Sequence, residues 1–276
     1  MLARAAAHFG YRDGGMVVFH NGIFFSNSGE LSVRRPFANV CALKHALPRQ
    51  SRVASAASYS QQMPHGGVLQ QGLVVQSASD QWFDEAYYQR YYFDKKTSVV
   101  DTQHVERLGT FVCSYLKYLR VPVKRVLDVG CGIGLWQGVL AQHFPDASYQ
   151  GVEFSEYLCA RYGWLRGSVV DFHSDQPFDL VICQGVLPYL SPADLQLALH
   201  NLGTLCRGAL YVEAVSREDY ERETIDEELT DPRLFRHRAQ LYRRGLTQGF
   251  VEVGGGMWLS RKAEVPLFEL ECAGGR

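Results

Sequence analysis

The alternation of apolar and polar positions changes its rhythm several times along the chain, and the changes mark the elements. Residues 101–119 place Val105, Leu108, Phe111, Val112, Tyr115, Leu116 and Leu119 on one helical face, and Pro122 ends the run. Val126, Leu127 and Val129 then form a short continuous apolar stretch, as expected of a central parallel strand covered on both faces. Three glycines follow, Gly130, Gly132 and Gly134, before Leu135, Val139, Leu140 and Phe144 recur at helical spacing up to Pro145. Strand, glycine turn and helix then repeat as strand and helix. SYQGVEFS (148–155) contains a strand ending near Glu153, residues 157–164 a short helix, and GSVVDF (167–172) a third strand ending at Asp171. A fourth strand opens at Asp179 and carries Gln184 and Gly185 at its carboxyl end. Ser191 caps the next helix with Pro192 in its first turn, and GALYVEAVS (208–216) is a fifth strand ending around Glu213. A helix over 232–248 leads into FVEVGGGMWLSR and VPLFELECA, two apolar strands that suit a closing hairpin. This order predicts an α/β fold, a doubly wound and mostly parallel sheet, with ligands at the carboxyl ends of its strands.

Upstream the texture differs. Residues 81–96, QWFDEAYYQRYYFDKK, crowd Trp82, Phe83, Tyr87, Tyr88, Tyr91 and Tyr92 into about three helical turns, which predicts an aromatic helix lying on the domain. Residues 1–78 hold no sustained helical period; their best apolar run, 16–25, is interrupted by His20, Asn21 and Gly22. Most of this stretch reads as a poorly ordered extension, with one hairpin expected around Asn21 and Gly22. Three explanations stay open for it: an organelle transit peptide, a mis-assigned start with Met63 as the true one, or a partner-binding arm. The domain proper is expected over 79–276.

Charge sharpens that boundary. The whole chain has a net charge of −1, which gives no nucleic-acid or membrane-surface signal. Residues 1–78, however, carry seven Lys and Arg against two Asp and Glu, so the remainder is net acidic. Seven cysteines are scattered without a C-x-x-C pair, so neither a metal site nor a disulfide framework is expected and a cytoplasmic location fits. No apolar run is long enough for a membrane span.

The glycine spacing decides between nucleotides. A dinucleotide fingerprint G-x-G-x-x-G starting at Gly130 needs a glycine where Leu135 stands; starting at Gly132, it needs one where Gln137 stands. A dehydrogenase is therefore disfavoured. Instead Asp128 precedes the turn, which reads D-x-G-x-G-x-G. Over residues 79–276 the chain resembles the class I S-adenosylmethionine-dependent methyltransferases, whose first motif has this form.

The resemblance implies a Rossmann-like, seven-stranded sheet with an antiparallel hairpin strand at its C-terminal end, and S-adenosylmethionine as cofactor. Gly130, Cys131, Gly132 and Gly134 would pack against the methionine part, with Asp128 steadying the turn or the amino group. Glu153, beyond the turn at the end of the second strand, would accept from the ribose hydroxyls, with Phe154 beside it. Asp171 and Phe172 would meet the adenine amine and ring, and Gln184 would close the site from the fourth strand. Tyr88 and Tyr92 share a helix face as lid residues. Where relatives often carry histidine after the fourth strand this chain has Pro188 and Tyr189, so Tyr189 and Glu213 become the catalytic candidates, with His200 a weaker one. The function implied is methyl transfer by in-line displacement to an acceptor of the small-molecule kind. The alternative is a methyltransferase-like partner subunit without catalysis. Oligomeric state is not readable from the sequence.

Overall fold

A computed structural model describes residues 80–99 and 101–273, and the predicted N-terminal extension, its hairpin included, lies outside the described residues. The described chain opens with a 3-10 turn at Asp80–Trp82 and a single α turn, α1 (Glu85–Tyr88), whose N-cap Asp84 accepts from Tyr87 N at 2.9 Å. A π-type turn, Gln89–Phe93, continues it. The aromatic helix predicted over 81–96 is thus three short pieces, because its rings are committed to different neighbours.

Helix α2 (Thr102–Tyr118), capped by Asp101, precedes strand β1 (Arg125–Val129) and helix α3 (Leu135–His143). Strand β2 (Ser148–Glu153), helix α4 (Glu156–Tyr162) and the two-residue β3 (Leu165–Arg166) follow. Next come β4 (Phe178–Gln184), α5 (Pro192–Leu205) and β5 (Cys206–Glu213). The chain closes with the short helices α6 (Arg217–Glu221) and α7 (Ala239–Leu246) and the hairpin β6 (Phe250–Gly254) and β7 (Met257–Ser260).

The seven strands lie in the order β3-β2-β1-β4-β5-β7-β6. The first five are parallel, β7 is antiparallel to β5, and β6 pairs antiparallel with β7. Successive residues of the central strands feed opposite layers. Leu127, Val181 and Cys183 pack with Leu195, Leu199 and Leu202 of α5, whereas Val126, Leu180 and Ile182 pack with Val112 and Leu116 of α2 and Val139 of α3. That period of two, with both faces covered by helices, is what a doubly wound sheet requires. The order reverses direction between β1 and β4, which places the switch-point crevice at their carboxyl ends.

Three predicted elements differ. GSVVDF is not a strand: Phe172 N donates to Ser168 O at 2.8 Å in a tight turn, and the edge strand is Leu165–Arg166, immediately before it. Asn201 of α5 holds this turn by donating to the carbonyls of Val169 and Phe172 at 3.0 and 2.9 Å. The helix predicted over 232–248 is confined to Ala239–Leu246, because residues before it spend their backbone groups on distant partners: Phe235 N on Pro188 O at 2.7 Å, and His237 O on Arg217 N at 2.7 Å. The closing hairpin lies wholly within FVEVGGGMWLSR, and VPLFELECA forms no strand, ending in a 3-10 turn with Phe268 and Leu270 exposed.

Candidate active site

The glycine turn between β1 and α3 holds Gly130, Gly132 and Gly134 at φ of 71°, 55° and 79°, a left-handed region that side chains resist. Gly130 N and Cys131 N both donate to Val152 O, at 2.7 and 3.2 Å, so the turn is tied to the end of β2. Trp164 closes it from outside. Its Nε1 donates to Gly132 O at 2.9 Å, and its ring lies 2.6 Å from where a Cβ on Gly134 would stand.

Glu153 completes the tie. One carboxylate oxygen accepts from Gly132 N at 2.8 Å, and the other from Phe154 N and Ser155 N, each at 2.9 Å. The side chain is buried; burial pushes its pKa up, opposed by those three N–H donors. Asp128 is 2% exposed and accepts from Tyr149 OH at 2.7 Å. Burial pushes its pKa up to about 7 against the pull of that phenol, and the Glu153 charge adds to the rise. Its partner is thus a phenol of β2 rather than an N–H of the turn. The Cys131 thiol is likewise held far above its ordinary value by burial and the two carboxylates, so it is no thiolate nucleophile.

Across β4 a second chain of bonds runs away from the turn. Trp136 Nε1 donates to Gln184 Oε1 at 2.7 Å, Gln184 Nε2 donates to Glu213 at 3.3 Å, and Tyr211 OH donates to the other Glu213 oxygen at 3.0 Å. Burial raises the Glu213 pKa, with Tyr211 and Gln184 opposing.

The N-terminal aromatics roof the crevice. Tyr88 and Tyr92 rings are 5.1 Å apart, and the Tyr92 hydroxyl would lie 3.5 Å from a Cβ on Gly132. Tyr87 and Tyr189 share a hydroxyl bond of 2.8 Å, and Tyr189 OH donates to Asp231 Oδ2 at 3.1 Å. The proton order is therefore Tyr87 to Tyr189 to Asp231. Burial raises both phenol pKa values well above normal. Asp231, 4% exposed, is held by the Arg233 fork, whose Nη2 lies at 2.8 Å and Nε at 3.0 and 3.1 Å. Arg233 also donates to Trp82 O at 3.1 Å and sits 5.3 Å from the Tyr87 ring centroid, which joins the segment after β5 to the roof.

These elements enclose a cavity of about 420 Å³. Of the predicted cofactor residues, Asp128 lines it from β1, Gly130, Cys131 and Gly132 from the turn that follows, and Glu153 and Phe154 from the end of β2 and the residue after it. Asp171 and Gln184 line it too, as do the predicted lid residues Tyr88 and Tyr92 and the catalytic candidates Tyr189 and Glu213. Two predicted residues are elsewhere. Gly134 lies beneath Trp164, and Phe172 is buried in the α5 core, so Phe172 cannot cover a ring in the cavity. His200 is exposed on α5 and takes no part. Sequence reasoning missed Tyr149, Trp164, Asp231 and Arg233, whose roles arise from distant pairings. It also missed His104, which lines the cavity from the first turn of α2 and whose pKa burial lowers. His104 precedes Leu108 by four positions, so the helical period could have placed it on the inward face.

Fold and crevice together define a doubly wound α/β domain with its cavity at the switch point of the sheet. Residues 127–208 match the family model of a methyltransferase domain. Over 65 residues the chain is 32% identical to the malonyl-[acyl-carrier protein] O-methyltransferase of Legionella pneumophila, a match covering 22% of this chain and 23% of that protein. The matched region thus spans about a quarter of the curated relative's length. Among solved structures, the chain is similar to the magnesium protoporphyrin IX methyltransferase of Synechocystis, with 18% identity and a TM-score of 0.47 over 66% of this chain and 95% of that one. It is also similar to an amino pentose methyltransferase of Micromonospora echinaspora, with 23% identity and a TM-score of 0.36 over 40% and 50% of the two chains.

Proposed function

We propose that this protein is a methyltransferase that uses S-adenosylmethionine and acts on a small-molecule acceptor. The observation that carries the reading is the left-handed glycine turn pinned through Gly132 N to Glu153, with buried Asp128 beside it, at the switch point of the sheet. This donor set fits the cofactor, since bare glycine backbone and two buried carboxylates suit a ligand with an ammonium group and ribose hydroxyls. When bound, S-adenosylmethionine supplies an electrophilic methyl group on a sulfonium.

The chain's own residues do the rest. Asp128 holds the ammonium, Glu153 accepts from the ribose hydroxyls through the lone pairs its N–H donors leave, and Asp171 accepts from the adenine amine. Tyr88 and Tyr92 exclude water from above the glycine turn. Much of the acceleration is then alignment for in-line displacement, a contribution on the order of 7–11 kcal/mol. The acceptor enters on the side walled by Tyr189, Glu213 and the segment carrying Asp231.

Calorimetric titration of the full chain tests the reading. Saturable binding of S-adenosylmethionine and S-adenosylhomocysteine, none of NAD, and at least about tenfold weaker binding by Glu153→Ala are expected. Binding of NAD instead, or cofactor affinity unchanged in the variant, would sink it.

A further inference from the structure

The charges around the cavity are one-sided. Six carboxylates line it, Asp101, Asp128, Glu153, Asp171, Glu213 and Asp231, and among the described residues no lysine or arginine does. Two of these acids already have cationic partners: Asp231 has the Arg233 fork, and Asp101 caps α2 with Arg107 at 3.6 Å. Asp128 and Glu153 belong to the glycine turn. Glu213 stands apart from that turn, at the end of β5, with only neutral donors, Tyr211 and Gln184. Two strand spacings separate β5 from β1, roughly 10 Å, so Glu213 lines the cavity at a distance from the turn.

The same cavity has an aromatic wall. Phe83 packs edge-on against both Tyr87 and Tyr189, with ring centroids 5.1 Å apart in each pair. One cation already uses this surface, since the Arg233 guanidinium lies over Tyr87. A carboxylate with no cationic partner, in a cavity that also presents aromatic rings, is a site for an ammonium. A carboxylate or phosphate ester, in contrast, would find only like charge there.

Resting on the methyltransferase reading, we infer that the acceptor is an amine, recognised as its ammonium by Glu213 and the aromatic wall. An ammonium has no lone pair, so its proton must leave first, to the Glu213 carboxylate and on to water. The amine nitrogen then attacks the methyl carbon; the N–C bond forms as the C–S bond breaks, and sulfur keeps the electron pair. The methylated ammonium leaves with the positive charge that the sulfonium brought. Burial of Glu213, which raises its proton affinity, suits the acceptance step.

The test loads the full chain with S-adenosylhomocysteine and titrates benzylamine, benzyl alcohol and benzoate at pH 7.5 by calorimetry, with thermal melting in parallel. Benzylamine is expected to bind at least about tenfold tighter than either of the others, and Glu213→Gln to lose that preference without melting lower than the parent. Benzoate or benzyl alcohol binding as tightly as the amine, no amine binding to the loaded protein, or an undiminished preference in Glu213→Gln would overturn the inference. Failure of S-adenosylhomocysteine itself to bind would instead overturn the methyltransferase reading, so the two are told apart.

Discussion

Asp128 ties the stability of the domain to pH. Its carboxyl is 2% exposed, its one hydrogen bond among the described residues comes from Tyr149, and burial lifts its pKa from 3.8 to about 7. The folded state therefore retains a proton that the unfolded chain releases, so stability falls as pH rises between about 4 and 7. Each pH unit in that window costs about 1.4 kcal/mol, which from pH 5 to pH 7 amounts to about 3 kcal/mol. Asp128→Asn keeps the shape and can still accept from Tyr149, but it removes the titration.

Relative to the parent, Asp128→Asn should gain about 3 kcal/mol between pH 5 and pH 7, or roughly 6–12 °C in melting temperature for a domain of this size. Above pH 7 the gain should stay constant. The same variant should lose cofactor affinity, because the ammonium loses its charge partner. In the parent, affinity for S-adenosylmethionine should rise with pH up to about 7, whereas in the variant it should be flat. Melting curves at half-unit pH intervals, with and without S-adenosylhomocysteine, read both effects. A stability slope in Asp128→Asn identical to the parent's would refute the assignment of the buried proton to Asp128.

The remaining predictions use other parts of the fold. Gly134→Ala meets the Trp164 ring at 2.6 Å at a φ of 79°, whereas Gly185→Ala at a φ of 71° meets open space; the first should melt lower than the second, which pays only the backbone cost of about 1 kcal/mol. Arg233→Ala leaves Asp231 buried without its cation, so a loss on the order of 3 kcal/mol and faster proteolysis across residues 217–238 are expected. Parent-like cleavage there would show that this pair does not hold the segment. Asp179 accepts from Lys124 N, Arg125 N and Arg207 Nε at 2.8, 2.9 and 2.7 Å; burial alone would raise its pKa, but these donors, Arg207 foremost, bring it below normal. Its contribution is therefore full above the usual carboxylate range and lost as pH falls through the folded value, so the deficit of Asp179→Asn in urea denaturation should shrink below about pH 4.

Legibility from the sequence followed the range of the interactions. The β1 strand, its glycine turn and helix α3 are specified by local chemistry, apolar run, permissive residues and helical period, and each lies where that chemistry places it. Glu153 could be found because a parallel crossover fixes the distance from the turn to the end of β2. What it does there was only half visible, since the bond to Gly132 N joins two elements that no window contains together. The turn at 167–172 looked like a strand because Val169, Val170 and Phe172 are apolar. Their burial is against α5, and the Asn201 amide that holds them lies some thirty residues on. Asp231 and Arg233 stood at the end of a charged run that reads as solvated. One buried acid in such a run has no local signature, because its burial is produced by Tyr189, Tyr87 and Trp82 arriving from elsewhere.

The partners of the buried acids explain why so many tyrosines surround this crevice. Asp179, away from the cavity, takes Arg207, and Asp231 in its wall takes both Arg233 and the Tyr189 phenol. Two other cavity acids have neutral side-chain donors: Asp128 takes Tyr149, and Glu213 takes Tyr211 and Gln184. The distinction has a physical reason. An arginine would satisfy the carboxylate and cancel its field, leaving nothing for an incoming cation to gain. A phenol offsets part of the desolvation cost through one hydrogen bond, brings apolar area to the wall, and leaves the negative charge in place. The charged carboxylates are then energetically costly in the free protein, since burial raises the pKa of Asp128, Glu153 and Glu213 alike. A cation entering the cavity relieves that cost as it binds, so part of the affinity is stored in the fold before any ligand arrives.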